Sequence, residues 1–139
     1  MSEHGIMQLR LESATGLEFE AHFDARNLTL DSGAEIAVTN PVQTMLASLA
    51  ACTGMDVIEI LRKKRQTVTG YSIEMSGERA SEHPRRFTSI TLVHRITGHD
   101  VSEAAVAEAV RLADEKYCSV RHTLRTDLPV EHRIEIAEG

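Results

Sequence analysis

Two cysteines carry the reactive chemistry that this sequence offers, Cys52 and Cys118. Cys52 stands in the stretch AACTGMDV, residues 50–57, among small side chains that leave room for another backbone or for a substrate. Cys118 follows in DEKYCSVRHTL, residues 114–124. Because neither cysteine belongs to a CxxC pair, the sequence favours neither a thioredoxin-like motif nor a zinc knuckle.

The seven histidines of the chain do not form a metal-binding pattern. They are scattered, with no HxxxH pair on a helix face, whereas a metal site needs ligands at a defined spacing. We therefore expect no metal site and no bound cofactor.

Length and charge limit the class of protein. A chain of 139 residues predicts a single domain, 1–139, and the absence of Trp with only three Phe predicts an aliphatic core. The net charge of -6 argues against a nucleic-acid partner, which needs clustered Lys and Arg. The basic run at 62–65 is expected to complement a helix end.

The N-terminal residues MSEHGIMQLR contain no apolar run and so do not resemble a signal peptide. No stretch is expected to reach the roughly 20 apolar residues of a membrane span, so we predict no membrane partner. The predicted location is cytoplasmic, where two cysteines are reduced thiols or a redox pair rather than a structural disulfide.

A long apolar helix is predicted over residues 41–65. It starts at NPVQ, where Asn40 can cap, Pro41 suits the first helical position and Gln43 can complete a capping box. No charged residue precedes Asp56, so the first half should be buried on every side. Burial at a subunit interface would achieve this and predicts a homodimer.

The other predicted elements surround this helix in the chain. An alternating pattern over 6–12 and 17–23, joined by SATG, predicts a β-hairpin, and NLTLDSG adds a short third strand. Asp100, with Glu103 three residues later, is expected to cap a helix over 101–116. Further strands are predicted at 68–78, 86–97 and 130–136. Strands and helices are segregated, which is typical of the α+β class.

Three segments together resemble the OsmC/Ohr family of osmotically inducible and organic hydroperoxide resistance proteins, and the OsmC-like branch in particular. They are NPVQTMLASLAACTGMDVIEILRKKR, GERASEHPRRFTSITLVHRITG and EKYCSVRHTL. The resemblance implies an intertwined α+β homodimer, with long central helices packed against antiparallel sheets.

The resemblance also implies a thiol-dependent peroxidase. In such members the first cysteine, here Cys52, attacks a peroxide, becomes a sulfenic acid and releases an alcohol. The second, here Cys118, resolves the sulfenic acid as a disulfide, which an external dithiol then reduces. The apolar helix favours organic hydroperoxides over hydrogen peroxide as substrate.

Activation of Cys52 needs a cation. The helix dipole fades within the first turn, and burial among alanines disfavours a thiolate. Family peroxidases supply an arginine held by a glutamate; where the OsmC-like branch has that glutamate, this chain has Gln43, and Arg26 is the candidate arginine.

Three further residues offer alternatives near the thiols. If residues 118–122 form a helical turn, Arg121 or His122 is an alternative stabiliser of either thiolate. Asp56, four residues after Cys52, is expected to anchor a base or act as a cap.

Two other hypotheses about the function remain open. One is a non-catalytic dimer of the OsmC fold that binds an apolar ligand or senses redox state, which the missing glutamate favours. The other is a structural dimer whose buried thiols are inert, as buried cysteines commonly are. An arginine guanidinium within hydrogen-bond reach of the Cys52 sulfur would favour the peroxidase.

Overall fold

The computed structural model describes residues 9–13, 18–23, 26–30 and 40–139. The chain divides into two compact units, Met1–Met45 and Leu46–Gly139. Helices and strands are both abundant and largely segregated along the chain, so the predicted α+β class is confirmed.

The first unit contains a three-stranded antiparallel sheet in the order β1-β2-β3. Its strands are β1 (Arg10–Ser13), β2 (Phe19–His22) and β3 (Asn27–Leu30). The predicted hairpin and third strand are therefore present, although residues 14–16 of the SATG turn and Met7 lie outside the described residues. Leu9 and Leu11, which continue the alternating pattern, are exposed.

The long helix α1 spans Pro41–Lys63, two residues shorter than predicted. Asn40 caps it as expected: its Oδ1 accepts the backbone N–H of Val42 at 2.8 Å and that of Gln43 at 3.3 Å. The chain leaves the helix through Arg65, whose φ of 56° is the left-handed conformation that commonly ends a helix.

Only one face of α1 is buried within the single chain. The buried residues are Leu49, Ala50, Thr53, Gly54, Val57 and Leu61. By contrast, Met55 is 67% exposed and Ile58 is also exposed. The expected burial on every side is therefore not reached in one copy of the chain.

By length and composition alone, α1 is apolar enough to cross a membrane. The expectation that no stretch approaches a membrane span is wrong for this helix. One such helix is weak evidence for a membrane location, because the core helix of a soluble protein passes the same test.

A second sheet, in the order β4-β5-β6, belongs to the unit Leu46–Gly139. Its strands are β4 (Thr67–Arg79), β5 (Phe87–His99) and β6 (Val130–Glu138). β4 and β5 are antiparallel, but β5 and β6 are parallel, so the prediction of antiparallel sheets is wrong for β6. The helical segment between β5 and β6 is the crossover that a parallel pair requires.

This crossover starts with α2, Glu103–Leu112. The predicted cap, Asp100, is wrong: the Ser102 Oγ accepts the N–H of Ala105 at 3.2 Å and caps the helix. Asp100 instead adopts a φ of 50°, and its N–H donates to the Glu138 carboxylate at 3.1 Å. It therefore turns the chain out of β5 before the helix begins.

The predicted helix over 101–116 changes its geometry before it ends. A π-helical turn, Ala113–Tyr117, follows α2 and closes with the Cys118 N–H donating to the Ala113 carbonyl at 2.8 Å. A short helix, α3, then spans Ser119–Thr123. Single π-turns of this kind are frequently found at functional sites.

The core of the second unit is aliphatic, as predicted. Its buried members are Val57, Leu61, Ile96, Val106, Ala109, Val110 and Ala113. Ile90, Leu92 and Ile96 of β5 are buried as predicted, and His94 lies on the same face with no exposed surface. A buried histidine among these residues was not predicted.

Candidate functional site

The fold brings the two cysteines together. Cys52 lies three turns into α1 and is partly buried, whereas Cys118 is completely buried at the start of α3. The sulfurs of both cysteines and a carboxylate oxygen of Asp56 all lie within 4.8 Å of one another. The pairing of thiols from two distant segments agrees with the resemblance, while their chemical roles stay a prediction.

The Cys118 sulfur accepts two hydrogen bonds. The Thr53 hydroxyl donates to it at 3.5 Å, and the backbone N–H of Arg121 donates at 3.3 Å. Burial raises the pKa of the Cys118 thiol, the two hydrogen bonds lower it, and the neighbouring Cys52 raises it. The net direction is upward, so Cys118 is protonated at neutral pH and must lose a proton before it reacts as a nucleophile.

Replacing Thr53 with valine should raise the pKa of Cys118 further, because it removes one donor but keeps the branched shape. We expect disulfide formation at neutral pH to slow by about fivefold to tenfold, the effect of one lost hydrogen bond of ordinary strength, about 1 kcal/mol. The rate is measured by quenching with an alkylating reagent and intact mass, across a pH series. Thr53→Ser keeps the hydroxyl and serves as the control; equal rates for the valine and serine variants would contradict the assignment.

Asp56 is the third member of the site. It follows Cys52 by four residues and so shares its helix face. Its Oδ2 is buried and has no hydrogen-bond partner among the described residues. Burial, with a smaller contribution from Glu59, raises the pKa of the Asp56 carboxyl. Asp56 was expected to anchor a base or act as a cap, but no described group bonds to this oxygen. The carboxylate lies beside the two sulfurs instead.

The same three groups could bind a metal ion. Two thiolates and one carboxylate are ligand types that zinc accepts, with a fourth position left open. Histidine spacing and CxxC pairs do not reveal this set in the sequence, because it combines α1 with the start of α3. Metal binding would compete with thiol oxidation at these sulfurs.

The other predicted site residues are not members of this group of three. Gln43, in the first turn of α1, and Arg26, just before β3, are both exposed and belong to the unit Met1–Met45. His122 is exposed on α3. Arg121 touches Cys118 only through its backbone, because its guanidinium donates to Asp114 and to the Leu128 carbonyl, each at 3.2 Å. The roles predicted for Gln43 and Arg26 stay predictions.

Two residues with candidate roles, Thr53 and His94, were not predicted from the sequence. Thr53 follows Cys52 directly but was not recognised as a donor to the other thiol. His94 could have been placed inside, because it alternates with Leu92 and Ile96, the predicted inward residues of β5. A buried histidine at such a position implies a hydrogen-bonded partner.

A pocket of about 300 Å³ lies next to the site, with Asp56 in its wall. Ile60, Leu112 and Tyr117 supply its apolar lining. Charged residues complete the wall, namely Glu59, Lys63, Lys64 and Glu108. Neither cysteine lines this pocket, and a small amphipathic molecule in it would contact Asp56, which lies within 4.8 Å of both sulfurs.

Comparisons with known proteins give the family of the chain. A family model described as OsmC-like protein matches residues 32–133. Protein YhfA of Escherichia coli (strain K12) is 35% identical over 131 residues, which cover 94% of this chain and 98% of that protein.

Solved structures show the same fold. A hypothetical protein from Aquifex aeolicus VF5 matches with a TM-score of 0.89 at 28% identity, over 97% of this chain and 98% of that chain. An organic hydroperoxide resistance protein OsmC from Legionella pneumophila matches with a TM-score of 0.70 at 19% identity, over 94% of this chain and 98% of that chain. The second likeness concerns the fold alone, and both confirm the fold predicted from the sequence.

Proposed function

Because the chain belongs to the OsmC-like protein family, we propose that it is a thiol-dependent peroxidase that reduces organic hydroperoxides. The observation that carries the proposal is the approach of two sulfurs, Cys52 and Cys118, and one carboxylate, Asp56, to within 4.8 Å. The name of the Legionella pneumophila protein, an organic hydroperoxide resistance protein, supports the choice of substrate.

In the first step, the Cys52 thiol transfers its proton to the Asp56 carboxylate. The resulting thiolate attacks the terminal oxygen of the hydroperoxide, ROOH, and the O–O bond breaks. The leaving alkoxide takes the proton from Asp56 and departs as the alcohol, ROH, while Cys52 becomes a sulfenic acid. The carboxylate oxygen and the sulfurs lie within 4.8 Å of one another, a separation that the proton can cross directly or through one water.

In the second step, the Cys118 thiol gives its proton to Asp56, and its sulfur attacks the Cys52 sulfur. The hydroxide leaves, takes that proton and becomes water, so the products are one disulfide and one water molecule. The two sulfurs must approach by less than about 3 Å to reach the length of a disulfide bond. An external dithiol then reduces the disulfide and is itself oxidised.

The pocket beside Asp56 supports an organic substrate. Its apolar side chains suit the carbon chain of a hydroperoxide, and hydrogen peroxide would gain nothing from them. The resemblance assigns activation of Cys52 to an arginine held by Gln43, with Arg26 as the candidate, and this part of the proposal rests on the resemblance alone.

The proposal includes a homodimer with an interface on α1, and a cytoplasmic location. The exposed Met55 and Ile58 support the interface, because large apolar side chains on one helix face favour burial against a partner.

A second candidate function is redox sensing without efficient turnover. Among the described residues of the unit Leu46–Gly139, no arginine guanidinium donates a hydrogen bond to the Cys52 sulfur. A thiol without such a cation reacts slowly with peroxide, which suits a sensor that is oxidised only occasionally.

The test mixes reduced protein with cumene hydroperoxide or hydrogen peroxide in a stopped-flow instrument. We expect cumene hydroperoxide to oxidise the protein faster, to give a Cys52–Cys118 disulfide by intact mass, and to be consumed repeatedly when dithiothreitol is present. Cys52→Ser should not react. Oxidation of the wild type without repeated consumption would favour the sensor, and a Cys52 that stays reduced would exclude both functions.

A further inference from the structure

A chain of hydrogen bonds crosses the core of the second unit, and the thiol mechanism above does not use it. The Tyr71 hydroxyl lies 2.6 Å from His94 Nδ1, and His94 Nε2 lies 2.9 Å from His132 Nδ1. His132 Nε2 lies 3.2 Å from Asp114 Oδ1, which also accepts the Arg121 Nε–H at 3.2 Å. The rings of His94 and His132 stack with centroids 5.1 Å apart.

One assignment of protons satisfies every bond in this chain. The Asp114 carboxylate, paired with Arg121, only accepts, so His132 Nε2–H donates to it. His132 Nδ1 then accepts from His94 Nε2–H, and His94 Nδ1 accepts from the Tyr71 hydroxyl. Burial, with a contribution from His132, lowers the pKa of His94 to about 4, and burial raises the pKa of Tyr71. At neutral pH the phenol and His94 are therefore uncharged, and every donor is directed toward Asp114.

The Asp114 end of the chain is connected to Cys118. Asp114 lies in the π-helical turn that ends on Cys118. Arg121 is held by Asp114 and by the Leu128 carbonyl, and its backbone N–H donates to the Cys118 sulfur. That hydrogen bond stabilises the thiolate form of Cys118.

We propose that Tyr71, His94, His132 and Asp114 form a positioning relay for Cys118. The relay fixes the Asp114 carboxylate against Arg121, and Arg121 in turn keeps its backbone N–H on the sulfur. The inference rests on the proposed function in one respect, since it assigns a role in the step that Cys118 performs.

The relay responds to pH in one direction. A proton added to the histidine pair leaves a hydrogen on His94 Nδ1, whichever ring takes it, and His94 then donates that hydrogen to the Tyr71 oxygen. The phenol can accept this bond because its oxygen both donates and accepts. Asp114 then faces a positively charged histidine pair as well as Arg121, and its hold on Arg121 weakens. Disulfide formation should therefore slow at acidic pH.

Within the part of the chain that the structure describes, few titratable groups face the histidine pair. Tyr71 faces it from β4, Asp114 from the π-helical turn and Arg121 from α3. The residues of α1 and α2 buried in this core are apolar. The ion pairs of the exposed Arg95 with Glu74 and Glu135 lie on the other face of the sheet.

Tyr71→Phe tests the relay at its far end. In this variant the Nδ1–H of a protonated pair would be buried without an acceptor. We call the part of the pH profile in which disulfide formation slows toward low pH the acid limb. In Tyr71→Phe we expect the acid limb to lie about one to two pH units lower, the effect of one buried unpaired donor. If Tyr71 only filled space in the core, the acid limb of Tyr71→Phe would lie at the same pH as in the wild type.

His132→Gln tests the middle of the relay, because an amide cannot bridge His94 and Asp114 as an imidazole does. We expect disulfide formation at neutral pH to slow by about tenfold, since the hydrogen bond from Arg121 to the sulfur is weakened. His99→Gln is the matched control: His99 is an exposed histidine of β5 that pairs with Glu138. It should keep the wild-type profile.

Disulfide formation is followed by acid quench and intact mass after oxidation with cumene hydroperoxide and, separately, with diamide. The diamide arm needs no peroxidase activity, so a relay effect seen there stands even if peroxide leaves Cys52 reduced. Wild-type rates and acid limbs in both Tyr71→Phe and His132→Gln would overturn the relay. If His132→Gln does not fold, the position of the acid limb in Tyr71→Phe decides alone.

Discussion

Cys118→Ser should abolish sustained peroxide turnover and leave Cys52 as a sulfenic acid. Serine keeps the size of the side chain but cannot attack the oxidised sulfur. In the wild type, the Cys118 sulfur lies within 4.8 Å of the Cys52 sulfur. Its effective concentration there is far higher than the concentration of a dissolved reductant. We expect dithiothreitol-dependent turnover to fall by about a hundredfold or more. Consumption of cumene hydroperoxide, with dimedone trapping and intact mass, measures both effects.

The initial oxidation should survive in this variant, because the Asp56 carboxylate remains beside Cys52. Excess peroxide should then carry Cys52 on to sulfinic and sulfonic acids, which the wild type avoids by forming the disulfide. Cys52→Ser is the control and should show no dimedone adduct on Cys52. Turnover of Cys118→Ser at the wild-type rate would show that Cys118 is not the resolving thiol.

The sequence predicted the elements that depend on local patterns. The Asn40 cap follows from side-chain chemistry within three residues, and the inward face of β5 follows from an alternation of period two. The choice of Ser102 over Asp100 as a cap was missed because both positions carry a capping residue. Only the turn out of β5, where Asp100 takes a positive φ, decides between them.

Other features depend on contacts between distant segments, which a single sequence does not encode in any local pattern. The parallel direction of β6 follows from the path of the crossover, which neither strand reveals by itself. The approach of Asp56 to both sulfurs needs α1 and the π-helical turn to meet. Likewise, His94 and His132 are 38 residues apart and are joined only by the pairing of β5 with β6.

The pairing of β4 with β5 should be very sensitive to Gly98. A Cβ added there would lie 2.1 Å from the Thr67 carbonyl oxygen and 2.6 Å from a methyl group of Val101. The first clash is with backbone and cannot be relieved by a rotamer change, so the two strands must separate locally. We expect Gly98→Ala to lower the free energy of unfolding by about 3 kcal/mol. This value is at the upper end of the destabilisation that overpacking substitutions cause.

Gly70→Ala is the matched control for this prediction. Gly70 is also a strand glycine of the same pair, but its added Cβ would meet only the Thr97 Cβ, at an ordinary 3.8 Å. We expect a change within about 1 kcal/mol, and a small gain is possible because alanine reduces the freedom of the unfolded chain. Urea unfolding followed by circular dichroism measures both variants. Equal stability of the two would mean that β4 and β5 do not approach at Gly98 as closely as the structure shows.

Gly98→Ala should also affect the relay, because Gly98 lies on the same face of β5 as His94, four residues further on. A separation of the strands would lengthen the bond between Tyr71 on β4 and His94 on β5. In a variant that still folds, the acid limb of disulfide formation should therefore move in the same direction as in Tyr71→Phe. A destabilised Gly98→Ala protein with a wild-type acid limb would show that the strand ends move independently of the histidines.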